Sequence, residues 1–103
     1  MVKWTPKSEK DLDLISEHIA KNFNVDLAIQ TVNNIIDYTD MILSKNPLAG
    51  SVLTTNPLFS KLVYEGNTIY YCENPKNQHI YIIYVQHRGS VFNKKRVNRN
   101  EVA

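Results

Sequence analysis

The chain has 103 residues, 43% of them hydrophobic and only three of them glycine, and a formal charge of +2; that length holds one domain with too little core for two, and that composition excludes a disordered chain. One cysteine, Cys72, excludes an internal disulfide and any cysteine-based zinc site, and fits a reducing cytoplasm. No apolar run approaches the roughly 20 residues that span a bilayer, and charges recur from Lys3 through Asp13 where a signal peptide would be apolar, so a cytoplasmic protein away from membranes is expected.

Val2-Lys3-Trp4 reads as a short first strand. Thr5-Pro6 then marks a helix start: threonine can cap, and proline suits the first helical position because its missing N–H would have no partner there. Glu9, Asp11 and Asp13 sit at the favourable end of the helix dipole. Leu12, Ile15 and Ile19 make one apolar stripe, and the helix should end near Lys21 or Asn22. Asn24 or Asp26 can cap a second helix, whose stripe runs through Ala28, Val32, Ile35, Ile36, Thr39, Ile42 and Leu43. Its outward residues are polar: Gln30, Asn33, Asn34, Asp37 and Asp40. Asn46-Pro47 stops it. A link of about three residues makes the two helices an antiparallel hairpin.

Residues 47–57 read as loop. The period then changes from helical to alternating. Phe59–Tyr64 is a strand, Glu65-Gly66-Asn67 a turn, Thr68–Glu73 a second strand rich in β-branched and aromatic residues, and Asn74-Pro75-Lys76-Asn77 a second turn. His79–His87 is the strongest strand. Strict alternation puts Ile80, Ile82, Tyr84 and Gln86 on one face and Tyr81, Ile83, Val85 and His87 on the other. Both faces are apolar enough for a central strand, with helices on one side and a partly exposed surface on the other. Short turns make the three strands an antiparallel meander. The fold class is α+β: an N-terminal strand and an antiparallel helical hairpin packed on an antiparallel β-sheet meander.

Residues 1–90 are expected to form the single domain and residues 91–103 a basic C-terminal tail. From Arg88 onward there are five basic residues and one acid, which leaves seven basic and nine acidic in residues 1–87. A basic segment at the end of an acidic body suits phosphate or an acidic partner, and serves equally as a solvated tail.

The opening V-K-W-T-P-K-S-E-K-D-L-D-L-I resembles the start of the RelE/ParE toxins of type II toxin–antitoxin systems, with Trp4, Thr5, Ser8, Asp11, Leu12 and Ile15 in place. Ala28 resembles the alanine early in that family's second helix. Pro47 and Gly50 resemble its P-x-x-G, and Val85 and His87 its closing V-x-H. The resemblance covers residues 2 to 90 and implies a RelE/ParE-like fold, a plasmid-stabilisation or growth-inhibition role, and a cognate antitoxin laid into a groove of the toxin. It also implies assembly as a homodimer or a toxin–antitoxin hetero-oligomer, and no cofactor or metal. Where family members often carry an aromatic residue and an arginine before the middle strand, this chain has Asn67 and Thr68. An arginine before the first meander strand becomes Ser60, beside Lys61, and the closing H-x-x-R becomes His87-Arg88-Gly89-Ser90.

Two branches of the family imply different chemistry. A RelE-like endoribonuclease cleaves messenger RNA on the ribosome and needs an acid or base, a cation at the phosphate and a proton donor. His87, Arg88 and Tyr71 are the catalytic candidates for that role, with Glu73 as a further base; each equally suits a plain strand or surface role. A ParE-like toxin binds and inhibits a target such as DNA gyrase and needs no catalytic set. Lys61, Arg88, Lys94, Lys95 and Arg96 are then the target- or phosphate-binding candidates. Threonine at position 68 cannot replace the charge of an arginine, which argues for the ParE-like branch, with a family member that has lost its toxicity as a further alternative. Cys72 reads as packing, and His18 and His79 have no evident partner.

Overall fold

The computed structural model describes residues 1–87. The element order is β1 (Val2–Trp4), α1 (Pro6–Asn22), α2 (Val25–Lys45), β2 (Ser51–Val52), β3 (Ser60–Tyr64), β4 (Asn67–Glu73) and β5 (Ile80–Gln86). They form one five-stranded sheet in the order β1-β5-β4-β3-β2. β1 runs parallel to β5, and the remaining pairs are antiparallel.

The helices begin and end where local chemistry directs. The Thr5 side chain accepts the Ser8 N–H at 3.3 Å, and Pro6 opens α1. Phe23 closes α1, its N–H donating to the Ile19 carbonyl at 2.8 Å. Asn24 then caps α2 by accepting the Leu27 N–H at 2.7 Å, so the helices are joined by two residues rather than three. α2 stops at Asn46, which is forced into the extended region (φ −147, ψ 93) by Pro47 behind it. Leu12, Ile15 and Ile19 of α1 and Ala28, Ile35 and Leu43 of α2 face the sheet, where they meet Leu62, Ile69, Tyr71, Ile80, Ile82 and Val85. That single layer of helices covers one face of the sheet. Asp40, expected to point into solvent, is half-buried because its carboxylate accepts the Trp4 indole N–H at 3.0 Å.

Residues 47–57 are not all loop. β2 is a two-residue edge strand on β3, continued by a bond from the Leu53 N–H to the Phe59 carbonyl at 3.0 Å. Two residues carry no period, so pairing alone defines it. Glu65 and Gly66, with φ of 53 and 82, form a two-residue hairpin turn, which starts β4 at Asn67 rather than Thr68. Asn74 organises the next turn by accepting the Lys76 N–H at 2.9 Å.

The main departure from simple alternation lies in β5. Tyr71 pairs with Ile82, but its neighbour Tyr70 pairs with Tyr84, so Ile83 is an extra residue. This β-bulge reverses the facing of the second half of the strand. Ile80 and Ile82 face the helices, and beyond the bulge it is Val85, not Tyr84, that is buried with them. Tyr84 and Gln86 turn to the opposite face, which no helix among the described residues covers.

Candidate functional site

The uncovered face of the sheet is built from alternate residues of each strand. Reading across the pairing registers, one row holds Lys3, Tyr81 and Cys72. The next holds Tyr84, Tyr70, Lys61 and Ser51, and a third holds Gln86, Thr68 and Val63. The strands' one carboxylate, Glu73, falls in line with Asn67, Ile69 and Tyr71 on the other face. The open face is therefore cationic and aromatic in a body that is net acidic over residues 1–87.

Its centre is a pair of tyrosines. The rings of Tyr70 and Tyr84 stack with centroids 4.4 Å apart and planes 18° apart, and the Tyr70 hydroxyl donates to Gln86 Oε1 at 3.3 Å. Lys7, from the first turn of α1, brings its Nζ to 5.7 Å from the Tyr84 ring centroid. Lys61 stands exposed directly opposite Tyr70. Lys61 and Lys7 thus flank two stacked rings, Lys7 ion-paired to Asp11 Oδ1 at 2.7 Å and Lys61 exposed, an arrangement that offers positive charge, hydroxyl and amide groups to an anionic partner. Burial pushes the Cys72 thiol on the same face up from its ordinary value, so at neutral pH it is a protonated, weakly nucleophilic group.

Of the residues singled out in the sequence, Lys61 belongs to this face. Tyr71 does not: it is 2% exposed on the helix-covered side. Its hydroxyl donates to the Pro47 carbonyl at 3.1 Å and accepts the Gly50 N–H at 2.9 Å. In this arrangement Tyr71 ties down the loop after α2 and lies on the side of the sheet away from the open face. Pro47 and Gly50 are thereby explained as the two ends of that tie. Alternation placed His87 beside Tyr81, but the bulge returns it to the helix side. There its ring meets His18 of α1 edge-on, with centroids 5.5 Å apart. His18, which had no evident partner in the sequence, has one. Glu73, the further base candidate, is exposed at the end of β4. Arg88, Lys94, Lys95 and Arg96 lie outside the described residues. Thr68 stands on the open face, between Val63 and Gln86, where an arginine would have added charge.

Nothing along the sequence marks Lys3, Lys7, Tyr70, Tyr84 and Gln86 for a joint role. Their convergence depends on which strands pair and on the bulge, and no spacing along the chain encodes it. Among the described residues no three histidine, cysteine or carboxylate side chains gather as a metal site, and no helix is long and apolar enough to cross a membrane.

A helical hairpin on one face of a five-stranded sheet, with the opposite face open, is the architecture of the RelE/ParE toxins. A family model described as the ParE toxin of the type II toxin–antitoxin system parDE matches residues 2–92, and the chain belongs to that family. Among solved structures, the chain is similar to one of a chromosomal ParDE toxin–antitoxin system from P. aeruginosa. The identity is 22% over 84% of this chain and 92% of the other, with a TM-score of 0.71. It is also similar to a chain of the RelBE2 toxin–antitoxin complex from Mycobacterium tuberculosis, at 18% identity over 85% and 96% of the two chains and a TM-score of 0.66. No curated protein matches the chain.

Proposed function

We propose that this chain is a ParE-like toxin that binds and inhibits a cellular target such as DNA gyrase and is neutralised by a cognate antitoxin. The observation that carries this reading is the make-up of the open face. Among the described residues, it gathers exposed lysine and stacked tyrosines, and it has threonine where an arginine of the nuclease branch would stand. Such a face suits recognition by charge and shape, and a threonine supplies no positive charge to stabilise the phosphate during strand scission. The antitoxin expected from this surface is an acidic, amphipathic segment.

Growth after induction of the chain alone, and again with its antitoxin, tests the toxin role: arrest that the partner relieves is expected. Supercoiling by purified gyrase tests the target, with inhibition expected at excess toxin. New 5′ ends on translated messages, abolished by His87→Ala, would replace this reading with a RelE-like nuclease. Absence of arrest by folded protein would replace both with a family member that keeps the fold without the toxicity.

A further inference from the structure

The bulge that shapes the open face is held from outside the sheet. β1 covers the edge of β5 only as far as Ile82, and beyond it α1 takes over. The Thr5 hydroxyl donates to the Ile82 carbonyl at 2.6 Å, and the Ile83 carbonyl lies 3.3 Å away. The Thr5 N–H reaches the same Ile82 oxygen at 3.3 Å. Two turns along α1, Asp11 Oδ2 accepts the Val85 N–H at 3.0 Å in a buried bond, while Oδ1 takes Lys7 Nζ at 2.7 Å. Ser8, fully buried between them, donates its hydroxyl to the Thr5 carbonyl at 2.8 Å.

The spacing of these contacts decides the register. A regular strand would turn every second residue to this edge, so after the Ile82 carbonyl the next N–H offered would be that of Tyr84. Asp11 instead holds the N–H of Val85, three residues on. Thr5 and Asp11 are fixed relative to one another by the helix between them, and bonding the Ile82 carbonyl and the Val85 N–H together leaves one extra residue between those two points. Without the bulge, the alternation set by Ile80 and Ile82 would continue. Tyr84 and Gln86 would turn towards the helices, and Val85 and His87 would face outward.

We propose that Thr5 and Asp11 are positioning residues for the open face. They hold the extra residue in β5, so that this face presents Tyr84 and Gln86 instead of Val85 and His87. That the face meets a partner rests on the function proposed above; the control of register does not. Lys7 belongs to the same device, since its amine joins the latch carboxylate to the ring that the latch exposes.

The test uses the full chain, made by cell-free synthesis and isotope-labelled, with contacts between the Tyr70 and Tyr84 rings read by nuclear Overhauser effects. Thr5→Val keeps the side-chain shape and removes the hydroxyl. It is expected to lose the ring contact, bring Ile83 opposite Tyr70 and speed exchange of the Val85 amide, while Thr5→Ser behaves as the wild type. Deleting Ile83 gives a regular strand that already faces Tyr84 outward, so Thr5→Val in the deletion background is expected to keep the ring contact. Should Thr5→Val alone fail to fold, the deletion is expected to restore folding to the pair. An unchanged ring contact in Thr5→Val, or a deletion that gives no protection, overturns the proposal. In cells, growth arrest should fall with Thr5→Val and return with the deletion. Arrest that persists without the ring contact overturns the role of the face in meeting a partner. A wild type that arrests nothing defeats the toxin reading and leaves the register result to decide the inference.

Discussion

Thr39 is fully buried, and its hydroxyl has no hydrogen-bond partner among the described residues. Holding such a group away from water costs stability that a methyl of similar size does not. Thr39→Val is therefore expected to stabilise the fold by about 1 kcal/mol, read as a higher urea midpoint; a lower midpoint would count against the account. Gly50 is the opposite case. A Cβ there would lie 2.5 Å from the Tyr71 hydroxyl and closer still to the backbone carbonyl of Lys61. One contact is with backbone and the other with a side chain pinned at its tip, so neither yields cheaply. Gly50→Ala should destabilise by about 1–3 kcal/mol, and an unchanged midpoint would mean that the loop moves freely away from Tyr71. From the sequence, Thr39 reads as one more member of an apolar stripe and Gly50 as a loop glycine. Their particular constraints come from partners that only folding brings near.

Among the elements, the hairpin between β3 and β4 contains a local conflict. Its two-residue turn needs positive φ at both positions, and Glu65 supplies one of them at φ 53. A left-handed backbone costs most side chains roughly 1–2 kcal/mol, and asparagine less. Glu65→Asn should raise the thermal midpoint without moving the register, and a drop would show that the contacts of Glu65 outweigh its backbone strain. The helices were legible almost to the residue because a cap, a stripe and a following proline all act within a few positions. The meander was legible for a similar reason, since short turns join its strands. β2 and the bulge were not legible. The first is too short to carry a period, and the second depends on bonds from Thr5 to Ile82 and from Asp11 to Val85, which are 77 and 74 positions apart.

For the whole molecule, charge is sorted by face. The body over residues 1–87 has an excess of acids, yet the open sheet face carries Lys3 and Lys61, with Lys7 at its rim. If this face meets the target, Lys3→Glu combined with Lys61→Glu should weaken growth arrest strongly, while thermal stability stays within about 0.5 kcal/mol because both side chains are exposed. Full arrest by the folded double variant would move the interaction elsewhere, to the hairpin or to residues beyond 87. His87→Ala separates the two branches of the family in the same assay. Arrest is expected to survive it, and loss of arrest with intact folding would favour nuclease chemistry.

The family and the order of its elements, β2 apart, were determined by the sequence itself. Trp4, Thr5, Ser8, Asp11 and Leu12 mark the first helix, Pro47 and Gly50 the exit from the hairpin, and the apolar periods the rest. These signals are local, and local physics of capping, periodicity and turn chemistry is what a chain displays before it folds. What only the tertiary structure decided is which side of β5 faces out. Strand alternation predicts a face from parity, but parity is lost wherever one residue is added. Whether a residue is added depends on partners across the fold. Here α1 supplies those partners, with the result that Tyr84 joins Tyr70 and Lys61 on the open face while His87 turns back towards His18.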